Sequence, residues 1–414
     1  MPRDNPDSPP SHRAQPALRR RLGLFLLSCY GAGTIIGAGI YVLVGAVIAA
    51  AGDAAPLAFL IAGALAALTG LSYAELSARF PEAAGAAAYV AQGLRSPRLA
   101  QAVGAAAALV AAVAAASIAR GSAGYLAEFL PLPSWLLAAC VVTLFTAIAC
   151  LDVRESVGLA ALVTLVEVAG LLLVILAGAH HLDALPARAA TLVPDSAAGL
   201  AGLAAGAFLA FFAYSGFETI VNMAEETRDP ARTMPHAILI ALAVAGVLYI
   251  AVVTIVLLAL PPERLAAGDT PLALVVADSG WFPSRILSAI AVIATTNGVL
   301  VEILMVSRLL YGMARRGWAP GFLAAVAPRT HTPVRATLVA GVGAGILAAV
   351  VPIETLASAT SALFLLVFGF VNLALWRLHR RAGHRGHKGF RAPRWVPPVG
   401  CVLSFALILA LFAA

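Results

Sequence analysis

Three carboxylates, Glu167, Glu218 and Glu302, stand inside long apolar runs of the chain. An ionised side chain there is costly to keep away from water, so one that is present marks a place that moves or holds charge. Such a carboxylate can carry a proton, hold a cation or pair with a buried arginine. A second feature offers chemistry from the backbone alone. Gly31-Ala32-Gly33-Thr34-Ile35-Ile36-Gly37-Ala38-Gly39-Ile40-Tyr41 holds four glycines in nine positions, midway along an apolar run from Leu22 to Ala51. Glycine weakens a helix. Backbone released near the centre of such a run must find partners where water is absent, and a bound ligand is one such partner. The spacing predicts a broken helix whose exposed backbone holds a substrate. A dinucleotide loop is excluded, because no strand precedes Gly31-x-Gly33 and no βαβ unit surrounds it. Gly33-x-x-x-Gly37 also fits close helix packing, and this stretch alone leaves packing and ligand binding open.

The elements that must position these groups are membrane helices. Of the 414 residues 61% are hydrophobic and only 11% charged, with a mean hydropathy of +0.94. A soluble domain carries about 25% charged residues. The composition predicts an all-α polytopic membrane protein with about eleven transmembrane helices. They fall near 22–51, 55–79, 98–127, 134–151, 157–179, 199–224, 237–260, 285–313, 335–351, 354–377 and 396–413. The third is the least distinct, because alanine is weakly hydrophobic, and Gly85 to Leu94 reads as a short interfacial helix. Residues 1–21 form a polar, basic N-terminal tail. Cys29, Cys140, Cys150 and Cys401 lie in or beside apolar runs and read as packing residues.

The basic residues set the direction. With the N-terminus in the cytoplasm, all Arg and Lys but Arg120, Arg188, Arg264 and Arg285 fall on the cytoplasmic side, 23 of the 27. That bias predicts a cell-membrane protein with a cytoplasmic N-terminus. It also removes nucleic acid as the reason for the net charge of +7.

The second half of the chain answers the first. Phe211-Phe212-Ala213-Tyr214-Ser215-Gly216-Phe217-Glu218 again interrupts an apolar run near its middle, on the sixth span. In a five-plus-five inverted repeat, with helices 1–5 in 22–179 and helices 6–10 in 199–377, spans one and six are equivalent. The segment 396–413 is then an additional helix. Paired interruptions at equivalent positions point to a transporter binding site.

These stretches resemble the amino acid–polyamine–organocation (APC) transporters. Gly33 to Tyr41 is similar to their first-helix motif. Ser72-Tyr73-Ala74-Glu75-Leu76 with Arg79-Phe80-Pro81 resembles the end of the second helix. Ala119-Arg120-Gly121 resembles the third helix of the cationic-amino-acid-transporter-like branch. Glu225-Glu226-Thr227-Arg228-Asp229-Pro230 resembles the loop after the sixth, and Ser307-Arg308 with Tyr311 to Arg315 the end of the eighth. The matches run in order through spans one to eight. The family usually has twelve or more spans, so eleven is a departure.

The resemblance implies a LeuT-type fold with broken helices one and six, and it implies residue roles. The substrate carboxylate meets amides of the unwound first helix, here Ile35, Ile36, Gly37, Ala38 and Gly39. The amino group meets carbonyls of the broken sixth, here Phe212, Ala213 and Ser215. Half-helix ends supply the free amides and carbonyls that a zwitterion needs. Phe211, Phe212, Tyr214 and Phe217 read either as gates or as packing. An acidic residue at Glu218 fits the family, where some members link it to proton-dependent gating. Glu167 is a departure: proton-coupled and sodium-independent relatives often carry a lysine there, and the one lysine here is Lys388.

Three readings of Glu167 and Glu302 follow. They titrate as a proton-coupling pair; they attract a cation with Thr295 and Thr296 as oxygen donors; or one is held by Arg308 or Arg120. Glu75 and Arg79 read as a structural pair at the end of span two. His180-His181 with Asp183 lacks a fourth ligand for a metal. No nucleophile–base arrangement, phosphate loop or cofactor motif is present. The expectation is a permease, not an enzyme, that moves an amino acid or related amine by alternating access. Protons rather than sodium would drive it. The alternatives are an exchanger without net proton coupling and a non-transporting amino acid sensor.

Overall fold

The computed structural model describes residues 22–81, 85–151, 157–188, 192–266, 270–280, 282–328, 330, 332–382 and 389–413. The N-terminal tail, Arg154-Glu155-Ser156 and Lys388 lie outside them. The described chain is helical, and each of the eleven apolar segments is a helix or a pair of helices. Span one divides into α1 (Leu24–Ala38) and α2 (Ile40–Ala51). Then come α3 (Ala55–Arg79), α4 (Gly85–Leu94), α5 (Pro97–Leu126), α6 (Ser134–Ala149), α7 (Val157–Gly178) and the short α8 (Leu185–Arg188). The sixth span is α9 (Ala197–Ala213) followed by a 3₁₀ helix, Phe217–Glu226. The remainder is α10 (Pro230–Ala259), α11 (Pro262–Ala266), α12 (Pro271–Ser279), α13 (Ser284–Arg315), α14 (Val334–Val350), α15 (Ile353–Ala382) and α16 (Val396–Ala413). Among the described residues seven helical stretches are long and apolar enough to cross a bilayer, and shorter apolar helices cover the other segments. The protein is a multi-pass membrane protein.

Helix starts follow local rules. Ser96 accepts from the Leu99 amide at 3.3 Å and Pro97 opens α5. Ser196 accepts from the Gly199 amide at 3.1 Å at the start of α9. These caps satisfy amides that have no partner within the helix.

Equivalent helices of the two halves pack on each other: α3 on α10, α5 on α13, and α6 on α14. The pairing of α7 with α13 is mirrored by that of α15 with α5. The alanine-rich α5 touches α4, α6, α13, α14 and α15. Its neighbours are helices rather than lipid, so small side chains serve close packing and high hydropathy is not needed. The outer surface carries Leu144, Leu162, Leu176, Val247, Ile346 and Leu403, as a lipid-facing shell requires.

Glu75 is structural, as its spacing with Arg79 suggests. Its carboxylate pairs with Arg79, meets His379 Nε2 of α15 at 2.9 Å and accepts the Ala392 amide at 2.8 Å. It ties α3, α15 and the segment entering α16 together.

Candidate functional site

The two interruptions meet at the centre of the bundle. Gly39 separates α1 from α2 with φ −96° and ψ −86°, and its amide still reaches Ile36 O at 3.2 Å. The amides of Val42 and Leu43 then both bond Gly39 O. The break is therefore one residue long. The expected unwinding over Ile35 to Gly39 is not seen, since Ile35, Ile36, Gly37 and Ala38 remain in α1. The groups left over are those at the new ends: the Ile35 carbonyl, whose usual partner Gly39 has turned to Ile36, and the first amides of α2.

On the sixth span α9 stops at Ala213. Tyr214 and Ser215 turn back to Phe211 O and Phe212 O at 3.1 and 3.0 Å, and Ser215 Oγ donates to Phe212 O at 2.7 Å. Gly216 has φ +113°, a conformation open to glycine. The chain continues as a 3₁₀ helix, so Glu218 sits in the first turn after the break. Of the expected acceptors, the Phe212 carbonyl is engaged by Ser215 and the Ala213 carbonyl faces Gly39. A Cβ on Gly39 would lie 2.5 Å from Ala213 O and 2.9 Å from its Cα. Close approach is what demands glycine there, rather than a positive φ.

Above and below this contact the bundle is hollow. A cavity of about 450 Å³ opens beside α2, lined by Gly45, Ala49, Arg120 and Glu354. One of about 240 Å³ opens on the other side, beside Tyr30, Thr219, Met223, Arg308 and Arg316. Between them lie buried rings. Tyr214 contacts Phe59 and Tyr249, and Phe217 contacts Tyr73 and Phe368. Phe211 meets Phe368, and Phe212 is fully buried.

Residues 22–414 match the profile of a family described as amino acid permease. The chain belongs to the amino acid permease family. Among its relatives is "Cationic amino acid transporter 4, vacuolar" of Arabidopsis thaliana. It is 32% identical, over 94% of this chain and 65% of that protein. The chain thus spans somewhat less than two thirds of the length of that plant relative. The methylthioribose transporter of Bacillus subtilis (strain 168) is also 32% identical, over 95% of this chain and 88% of its own. A solved structure of a mutant manganese transporter from Eremococcus coleocola shares the fold. Its TM-score is 0.61 at 14% identity, covering 95% of this chain and 88% of that one.

In this permease the glycine face of α1 serves α7. A Cβ at Gly37 would come within 2.9 Å of both Glu167 Oε1 and the Ala294 carbonyl of α13. One at Gly33 would collide with Thr164 Oγ1 and come 3.4 Å from Glu167 Oε2. The small residues of α1 thus let the Glu167 carboxylate lie against the backbone of the broken helix. Glu167 is fully buried, and neither oxygen has a hydrogen-bond partner among the described residues.

Glu302 does not join Glu167. It shares a small cavity with Glu218, walled by Tyr73, Phe364 and Phe368. Two helical turns along α13 separate Glu302 from the Ala294 level where Glu167 sits, and that spacing carries it toward the Arg315 end of the helix. Glu218 Oε2 accepts the Gly216 amide at 2.9 Å, while Glu218 Oε1 and Glu302 Oε2 have no partner among the described residues. Thr295 and Thr296 donate to the carbonyls of Ala291 and Val292 on their own helix. Among the described residues neither Arg308 nor Arg120 pairs with a carboxylate, so the expected arginine clamps are not formed.

Proposed function

We propose that this permease is a secondary transporter of an amino acid or related amine, working by alternating access. It would lie in the cell membrane with its N-terminus in the cytoplasm. The observation that carries this reading is the contact of two helix interruptions, Gly39 and Ala213, between cavities on opposite sides. A zwitterion suits it, because half-helix ends offer amides to a carboxylate and carbonyls to an ammonium. The substrate residues are Ile35 to Gly39 on the first span and Phe212, Ala213 and Ser215 on the sixth. The repeats are residues 22–179 and 199–377, with 396–413 as an added helix. The similarity to a plant cationic amino acid transporter supports a cationic amino acid as one candidate substrate.

Coupling is assigned to protons through Glu167, with Glu218 and Glu302 as a second acidic pair nearer the inner cavity. A carboxylate with two unpartnered oxygens, buried beside the broken helix, is stabilised by a proton or a cation.

A thermal-shift screen of the purified permease tests the substrate class, with L-amino acids, polyamines and methylthioribose, each with and without sodium. Stabilisation by an amino acid or polyamine, independent of sodium, is the expected result. Stabilisation by methylthioribose alone would replace the zwitterion reading.

A further inference from the structure

One side chain stands at both breaks at once. Tyr249, on α10, is fully buried, and its hydroxyl lies 2.8 Å from the Ile35 carbonyl and 2.9 Å from the Ala213 carbonyl. With a single proton it donates to one of them or is shared by both. The hydroxyl also lies against Gly39, in the space that a Cβ there would enter. The ring is held by edge contacts with Phe59 and Tyr214, at centroid separations of 5.8 and 5.1 Å.

A hydroxyl both donates and accepts. At this point it does on a small scale what the ammonium of a zwitterion would do, meeting the carbonyls of two half-helices. Those groups are deeply buried, and leaving them unpaired away from water is costly. A carrier that returns without substrate must take them through a closed, dry state. We propose that the Tyr249 hydroxyl is an internal stand-in for the substrate. It satisfies the two breaks while the unloaded permease reorients, and the substrate displaces it on binding. The proposal rests on the amino acid transport reading and adds a consequence: this permease performs net transport and is not confined to exchange.

The test uses Tyr249→Phe, which keeps the ring and removes the hydroxyl. Tyr214→Phe is the control, since its hydroxyl is buried beside Tyr249 without a hydrogen-bond partner among the described residues. Each protein is purified and reconstituted in proteoliposomes. A radiolabelled mixture of the standard L-amino acids is the probe, for equilibrium binding, for net uptake into unloaded vesicles and for exchange into vesicles preloaded with the same mixture. Tyr249→Phe should bind about 2- to 10-fold more tightly, because its competitor is gone. Its net uptake should fall by a similar factor while exchange is kept, and Tyr214→Phe should behave as wild type. Weaker binding by Tyr249→Phe would make the hydroxyl a direct substrate ligand and overturn the proposal. An unchanged ratio of net uptake to exchange would overturn it too. If Tyr249→Phe does not fold, Tyr249→His, which retains a donor, must restore folding and the wild-type ratio, or the proposal fails. A wild-type protein that neither binds nor exchanges any amino acid defeats the transport reading and the proposal with it. Wild-type exchange alongside an unaltered Tyr249→Phe defeats the proposal alone.

Discussion

Replacing Gly39 by alanine adds one methyl group where the two helix breaks meet. That methyl would sit 2.5 Å from Ala213 O and 2.9 Å from Ala213 Cα, both backbone atoms. Ordinary contact begins near 3.4 Å, so α2 and α9 must separate by about 0.9 Å or the Gly39 turn must rotate. Overpacking of this kind costs about 1–3 kcal/mol. If substrate binds between the same two segments, that strain falls on the bound, closed state, and affinity should weaken about 5- to 150-fold. Equilibrium binding of labelled amino acid to the purified protein measures this. Gly343→Ala on α14 is the reference, because a Cβ there meets nothing within 4 Å. Gly39→Ala that binds as tightly as Gly343→Ala, with the same thermal midpoint, would refute the assignment of the site to this contact. Gly39→Val should lose binding altogether, and size-exclusion chromatography separates that loss from misfolding.

Glu167→Gln mimics a protonated carboxyl, so it should bind substrate and exchange it but lose accumulation driven by a pH gradient. Loss confined to Glu218→Gln or Glu302→Gln in the same uptake assay would move coupling to the inner pair. For topology, cysteines placed in the 380–394 segment should resist an impermeant thiol reagent in intact cells, while cysteines at His180 or His181 should react. Labelling of 380–394 from outside would reverse the charge-based orientation.

Much of this could be read in the residues, because the bilayer imposes simple rules. Span lengths, the helix Gly85–Leu94 and both interruptions follow from hydropathy and glycine placement. The width of the first break does not. Four glycines in nine positions suggested an unwound stretch, yet Gly33 and Gly37 stay helical and instead admit Thr164 and Glu167 of α7. Glycine density alone does not distinguish released backbone from close packing. The partner of Glu302 was also hidden, since the rotation of α13 decides whether it faces α7 or the sixth span. Tyr249 was overlooked because it lies in an ordinary apolar run from Ala245 to Leu258. The available signal was a polar tip within a membrane helix, which must find a partner when buried.

The central claim is that the two breaks carry an amino acid across the membrane at the expense of a proton gradient. Uptake of labelled L-amino acids into proteoliposomes, with the lumen one pH unit more alkaline than the bath, measures it directly. The account predicts accumulation approaching about tenfold for a one-proton symport. A protonophore should collapse it, and replacing sodium by choline should leave it unchanged. Uptake that ignores the pH gradient and requires sodium would contradict the coupling. The absence of uptake and exchange for every amino acid and polyamine would contradict the function itself.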